Sequence, residues 1–149
     1  MARKKIGTRN DGEWTEGKFN SFVRSLLRSG SLRWPPRYKA LKKAYVKDGV
    51  NPETNRKCKL HRCSRCESLS PASKMVVDHV IPVVDPLVGF TNWDDFIQRL
   101  FCESSNLQAL CKKCHKRKTF SETQISSGKI VVKKTPNRVK AVRRRVRKI

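Results

Sequence analysis

The sequence predicts an α+β fold with a small core, and three observations support this class. Apolar residues recur at helical spacing over residues 15–29, which indicates an amphipathic helix. The β-branched run from Lys74 to Val84 predicts a strand that breaks near Pro82. Two Cys-x-x-Cys motifs, at residues 63–66 and 111–114, flank this strand along the chain. We therefore expect short strands and helices arranged around a metal-stabilised centre.

The N-terminal part of the chain predicts two helices. In the first, Thr15 is a suitable N-cap and Gly30 a suitable terminator. Its apolar face is formed by Phe19, Phe22, Val23, Leu26 and Leu27. After the break at Trp34-Pro35-Pro36, a second helix is expected from Pro36 or Arg37 to about Lys47. The two helices are interpreted either as a support for the core or as a surface that docks on DNA.

The rest of the core predicts short elements around the two cysteine motifs. Residues 58–75 are expected to be a loop-rich knuckle, and residues 86–89 a turn. Helical spacing predicts a helix from Thr91, its N-cap, to Phe101. A returning strand over residues 107–110 and a helix from Lys112 to about Gln124 complete the core.

The positive charge makes nucleic acid the expected partner. A net charge of +23 and a pI near 10.5 attract phosphate backbones. Residues 1–57 carry 15 Lys and Arg against 5 Asp and Glu, and residues 129–149 carry 10 against none. We therefore divide the chain into a basic helical extension (1–57), a core (58–125) and a basic, flexible tail (126–149). Charge alone does not distinguish an enzyme from a ribosomal or packaging protein with basic arms.

The ends of the chain and its cysteines indicate a compartment. Met1–Lys5 is basic and is not followed by an apolar run, so no secretory signal is expected. No segment approaches the roughly 18 apolar residues that a membrane span requires. Six cysteines without such a signal indicate a reducing environment, where cysteine pairs bind metal more often than they form disulfides. We expect a cytoplasmic protein with no membrane partner.

The doubled Cys-x-x-Cys motif predicts a structural zinc site, because structural Zn²⁺ takes four Cys or His ligands in a tetrahedron. The predicted ligands are Cys63, Cys66, Cys111 and Cys114. The 44 residues between the two motifs exceed the spacing of a small zinc ribbon, so a subdomain is inserted between them. Outside this set, Cys58 and Cys102 are expected to be small buried hydrophobes, and His61 a surface or knuckle residue.

Four further residues carry chemistry suited to phosphodiester hydrolysis, which needs a base for water and a divalent cation at the scissile phosphate. Asp78 and His79 are adjacent at the predicted strand end, where a bend lets one reach a cation and the other the water. His115 follows a zinc cysteine on a helix and is suited to be a second cation ligand. Asn106 is suited to hold the loop after the strand. A lone histidine is more often structural, so the hypothesis depends on the four residues together.

In this order, and within two Cys-x-x-Cys motifs, these residues resemble the HNH endonucleases over about residues 58–122. The segment Cys114–Thr119 is similar to the Cys-His-x-x-Lys-Thr ending of many family members. The resemblance implies a ββα-metal fold, in which a two-stranded hairpin and a helix hold one divalent ion. The tetracysteine zinc is then a separate structural site.

The resemblance also implies a role for each residue. His79 becomes the general base, and Asp78 and His115 become ligands of Mg²⁺ or Mn²⁺, with Zn²⁺ or Ni²⁺ as alternatives. Asn106 orients the loop, and Lys118 contacts a phosphate or places a charge near the transition state.

One segment departs from the family pattern. The 26 residues between His79 and Asn106 exceed a simple hairpin loop and predict an inserted helix. With the Trp34-Pro35-Pro36 segment, this insert resembles small HNH proteins of tailed phages, which would place the protein in the host cytoplasm.

The predicted function is a metal-dependent DNA endonuclease that nicks one strand or cuts both. Its contacts with double-stranded DNA are expected from basic residues of the last helix and the tail. These residues are Lys116, Lys118, Arg143, Arg144 and Arg145. The alternative is a non-catalytic, zinc-stabilised nucleic-acid-binding or packaging accessory protein, and RNA is a third option as substrate. The sequence leaves a homodimer or a protein partner open.

Overall fold

A computed structural model describes residues 7–129, which fold into four α-helices and two small antiparallel sheets. The helices are α1 (Glu16–Ser31), α2 (Pro35–Lys43), α3 (Trp93–Leu100) and α4 (Lys112–Ser126). One sheet has the order β1 (Tyr45–Val50), β2 (Lys57–Arg62), β3 (Leu69–Pro71), and the other pairs β4 (Met75–His79) with β5 (Leu107–Cys111). The predicted α+β class is confirmed.

The β4–β5 hairpin positions both candidate sites. Its register pairs Met75 with Cys111 at one end and His79 with Leu107 at the other. Helix α4 follows β5 without a connecting loop and packs against both strands. These three elements form the expected ββα arrangement, with one cysteine motif at one end of the hairpin and Asp78 and His79 at the other. The predicted returning strand and last helix are confirmed, and the first predicted strand is confirmed except that it ends at His79, before the expected break near Pro82.

Two small apolar clusters form the core of the described residues. The first lies at the cysteine end of the hairpin and contains Cys63, Met75, Ala109, Leu110 and Cys114. The second lies around α3 and contains Val83, Phe96 and Leu100. Helix α3 confirms the predicted insert, although its N-cap is Asn92, whose Oδ1 accepts a hydrogen bond from Asp95 N at 2.8 Å, and not Thr91. The insert therefore has its own core.

The predicted end of the second helix was wrong. Helix α2 ends at Lys43, and the chain continues as β1, which pairs antiparallel with β2. The backbone of Arg62 donates a hydrogen bond to Ala44 O at 2.7 Å, so a tertiary contact stops the helix here. β1 contains Tyr45, Val46 and Val50, residue types that favour strands.

The predicted loop-rich knuckle at residues 58–75 was also wrong in part. Residues 58–62 belong to β2 and residues 69–71 to β3, and the turn between these strands carries the first cysteine motif. His61 is buried on β2 at 5% exposure and is not a surface residue. Cys58 and Cys102 are half-buried, so they are less enclosed than expected.

Helix α1 begins and ends close to its predicted bounds. Thr15 Oγ1 accepts a hydrogen bond from Lys18 N at 3.2 Å, which confirms the N-cap. The predicted apolar face is only partly covered, because Leu27 packs on the α3 cluster while Phe22 and Leu26 are 47% and 57% exposed. Before the helix, Thr8 and Arg9 donate backbone hydrogen bonds to Trp14 O, so residues 7–14 form a turn.

The predicted basic tail and the first residues fall largely outside the described range. Residues 1–6 and 130–149, including Arg143, Arg144 and Arg145, are not among the described residues. The division of the chain at residues 57 and 125 stays a prediction. No helix within residues 7–129 is both long enough and apolar enough to cross a membrane.

Candidate active site and metal centre

The four predicted zinc ligands come together at one end of the hairpin. The Sγ atoms of Cys63, Cys66, Cys111 and Cys114 all lie within 4.8 Å of one another. Four sulfurs at about 2.3 Å from a tetrahedral Zn²⁺ lie about 3.8 Å apart. The Sγ atoms of Cys66 and Cys111 are 3.8 Å apart. The donor set and its spacing therefore fit a structural zinc ion.

The backbone around the first motif shapes this centre. Cys63 N donates to Ser68 O at 3.0 Å and Glu67 N donates to Cys63 O at 2.9 Å, which closes a tight turn after β2. The φ of Glu67 is +60°, as a turn of this kind requires. Cys111 N donates to Cys63 Sγ at 3.3 Å and links the two motifs directly.

The thiol pKa values differ between the cysteines of this centre. Hydrogen bonds from the Ser68 side chain and backbone lower the pKa of Cys66 to about 6. Burial and the neighbouring thiols raise the pKa of Cys114 to about 12. Four thiolates this close together are stable only with a positive ion among them. The centre is thus suited to bind zinc, whose charge would stabilise the four thiolates together.

The second candidate site lies between the other end of the hairpin and α4. Asp78 Oδ1 is 4.0 Å from His115 Nε2, and Asp78 Oδ2 is 2.8 Å from Lys118 Nζ. Two donors at about 2.1 Å from one divalent ion lie at most about 4.2 Å apart. The Asp78 and His115 side chains are 19% and 34% exposed, so an ion can reach them from solvent. The pair therefore fits a shared divalent ion.

His79 lies on the buried side of β4, as expected for the neighbour of Asp78 in a strand. It is 7% exposed, and its Nε2 lies 3.1 Å from Leu100 O at the end of α3. Because a carbonyl oxygen only accepts, Nε2 carries the proton and Nδ1 keeps a free lone pair. Burial lowers the pKa of His79, so the ring is neutral at neutral pH. Within residues 7–129, no side-chain hydrogen bond joins His79 to Asp78 or His115.

Asn106 fixes the loop that leaves β4. Its Oδ1 accepts a hydrogen bond from Ile81 N at 2.9 Å, and its Nδ2 lies 3.4 Å from Ile81 O. Its backbone O also accepts from Val80 N at 2.8 Å. The turn before β5 is thereby tied to the two residues after His79. This is the contact expected of a residue that orients the loop.

Two residues near the site, Glu122 and Arg37, were not predicted from the sequence. Glu122 Oε1 lies 2.7 Å from Lys118 Nζ, so Lys118 contacts two carboxylates. Burial alone would lower the pKa of Lys118, but the contacts with Asp78 and Glu122 raise it. Arg37 donates from Nη2 to Val77 O at 2.6 Å and ties α2 to β4. The i, i+4 spacing of Lys118 and Glu122 on α4 was the available signal for the first of these.

The predicted nucleic-acid contacts are only partly described. Lys116 is exposed on α4, while Lys118 points at Asp78. An open cleft of about 510 Å³ is lined by Thr119 and Glu122 of α4, by Arg28 and by the loop at residues 84–89. Glu122 also contacts Lys118, so this cleft adjoins the Asp78 site.

Comparison with known proteins adds one match. The family model described as HNH endonuclease matches residues 61–121, which include the four cysteines and all four residues of the predicted catalytic set. No curated protein and no solved structure matches the chain. The predicted resemblance to the HNH endonucleases is confirmed over residues 61–121, whereas the resemblance to tailed-phage proteins and the host cytoplasm stay predictions.

Proposed function

Because residues 61–121 form an HNH endonuclease domain, we propose that the protein is a metal-dependent DNA endonuclease with its active site at the Asp78 end of the hairpin. The proposal depends mainly on one observation: Asp78 Oδ1 and His115 Nε2 face each other at 4.0 Å, at the end of the strand that carries His79. No zinc cysteine takes part in this site.

His79 is the proposed general base. Its Nε2 proton is held by Leu100 O, and its neutral ring leaves Nδ1 to accept a proton from water. The rigid contact with α3 fixes the ring orientation, and Asn106 fixes the loop that follows. A positioned general base typically increases the reaction rate roughly 10²- to 10⁴-fold.

Asp78 and His115 are the proposed ligands of the divalent ion, which we expect to be Mg²⁺ or Mn²⁺, with Zn²⁺ or Ni²⁺ as alternatives. The bound ion would supply positive charge for the scissile phosphate and the leaving oxygen. The four cysteines would hold Zn²⁺, whose contribution is to folding.

Double-stranded DNA is the proposed substrate. The net charge of +23 favours binding to the phosphate backbone, and phosphate contacts position a duplex without reading its sequence. We assign such contacts to Lys116, Lys118, Arg143, Arg144 and Arg145. One active site cuts one strand per binding event, so a monomer would nick, and a double-strand break would need a dimer or a second event.

The test is cleavage of supercoiled plasmid by the zinc-loaded protein with Mg²⁺ or Mn²⁺, beside His79→Ala and the exposed control Gln98→Ala. We expect nicked or linear product from the parent and from Gln98→Ala, and at least about 100-fold less from His79→Ala. DNA binding and zinc content should be equal in all three. Cleavage by His79→Ala at the parental rate would exclude His79 as the base.

A non-catalytic nucleic-acid-binding protein is the second candidate, because the charge and the cysteine centre explain binding without Asp78 or His115. It predicts tight DNA binding with no cleavage by any of the three proteins. Repeating the assay on RNA of the same length separates an RNA substrate from no substrate.

A further inference from the structure

Lys118 lies between two carboxylates at the proposed cation site. Its Nζ is 2.8 Å from Asp78 Oδ2 and 2.7 Å from Glu122 Oε1. The side chains of Lys118, Asp78 and Glu122 are 18%, 19% and 30% exposed, so water screens these charges incompletely. One ammonium group is thus shared by an expected cation ligand and a carboxylate outside the predicted set.

His115 and Lys118 approach different oxygens of Asp78. His115 Nε2 is nearest to Oδ1 at 4.0 Å, whereas Lys118 contacts Oδ2. An ion held by Asp78 and His115 and the ammonium group of Lys118 therefore do not exclude each other sterically. They do share one negative charge and repel each other. The carboxylate of Glu122 offsets this repulsion because it contacts the ammonium group directly.

We propose that Lys118 and Glu122 together set the affinity of the Asp78–His115 site for its divalent cation. Lys118 competes for the charge of Asp78, and Glu122 draws the ammonium group away from it. Glu122 is then a positioning residue that acts through Lys118 and does not contact the ion. This inference rests on the proposed function, because it requires a cation at Asp78 and His115.

The test is Mn²⁺ binding to the full-length, zinc-loaded protein, measured by isothermal titration calorimetry without DNA. Lys118→Met should bind Mn²⁺ about tenfold more tightly, because the competing charge is gone. Glu122→Gln should bind about tenfold more weakly, because Asp78 then holds the ammonium group alone. In the Lys118→Met background, Glu122→Gln should change the Kd by less than about twofold.

The control is Arg117→Met, which removes one positive charge from an exposed neighbour on α4. A Lys118→Met effect no larger than that of Arg117→Met would show a general charge effect and overturn the proposal. If Glu122→Gln weakened Mn²⁺ binding equally in the parent and in Lys118→Met, Glu122 would be a direct ligand of the ion. This result would also overturn the proposal. Asp78→Asn tests the proposed function separately, because it should abolish Mn²⁺ binding. Unchanged Mn²⁺ binding would show that the cation does not bind at Asp78 and His115.

Discussion

The two ends of the β4–β5 hairpin both carry groups that are negative when ionised, and they differ in how this charge is balanced. At one end, four cysteine Sγ atoms lie within 4.8 Å of one another, and Cys63 and Cys114 are 0% and 3% exposed. At the other end, Asp78 lies beside His115 and is already paired with Lys118. The cysteine end has no positive side chain among its ligands, whereas the Asp78 end carries its own cation.

From this difference we expect one metal to be needed for folding and another to be needed for activity. Two of the predicted cysteine ligands, Cys63 and Cys114, belong to the first apolar cluster and Cys111 packs against it, so an ion there would add to a small hydrophobic core. The Asp78 site is partly exposed and its carboxylate is paired with Lys118, so we expect the fold not to depend on a second ion. We therefore expect the loss in free energy of unfolding to be largest for changes at the cysteine end and smallest for changes at Asp78.

Removal of zinc should have the largest effect. Structural zinc contributes on the order of 10 kcal/mol to folding in small domains, so a strong chelator should unfold residues around the first cluster. Far-ultraviolet circular dichroism and zinc content, followed together, measure this. Removal of Mg²⁺ alone is the control and should leave the spectrum unchanged. A native spectrum after complete loss of zinc would contradict the contrast between the two ends.

Leu110→Ala should cost about 2–5 kcal/mol of unfolding free energy, because it leaves a cavity in the cluster that contains the cysteine ligands. Leu110 is 1% exposed, between the two cysteine motifs. Urea denaturation of the zinc-loaded protein measures the change. Leu26→Ala is the matched control, since Leu26 is 57% exposed and should cost less than about 0.5 kcal/mol. Equal effects would mean that this cluster does not support the zinc centre.

The sequence predicts best those elements that depend on a local pattern. The cysteine motifs, the strand at Met75–His79 and helix α4 depend on local spacing and residue type, and these are present in the sequence itself. The β1 strand was missed because its residues are mostly exposed and lack an alternating pattern, and because pairing with β2 stops α2 before Lys47. A tertiary contact that ends a helix early is not visible in the local sequence of that helix.

At the candidate active site, the residue types were predicted and their partners were not. Asp78 and His79 were recognised from their place at a strand end, but the Leu100 carbonyl that holds His79 is 21 residues away along the chain and belongs to the inserted helix. The Lys118–Glu122 contact has the right spacing for a helix pair. Its connection to Asp78 depends on how α4 packs on the hairpin, which no local pattern contains.

Asn106→Ala should have an intermediate effect, of about 1–2 kcal/mol on unfolding, because it leaves Ile81 N without its acceptor. We also expect cleavage to fall roughly tenfold, since the loop after His79 loses its anchor. Thermal unfolding and the plasmid assay measure the two changes, with Gln98→Ala as an exposed amide control. A stability loss without any change in cleavage would mean that the loop does not position His79.

Asp78→Asn should have the smallest effect on stability and the largest on activity. Lys118 keeps Glu122 as a partner when Asp78 loses its charge, so the free energy of unfolding should change by no more than about 1 kcal/mol. Cleavage should fall at least about 100-fold, because an expected cation ligand is gone while the zinc centre is unchanged. Denaturation and cleavage measured on the same preparation test both halves. If Asp78→Asn unfolded the protein as removal of zinc does, the two ends of the hairpin would be equally structural, and the separation of folding metal from catalytic metal would be wrong.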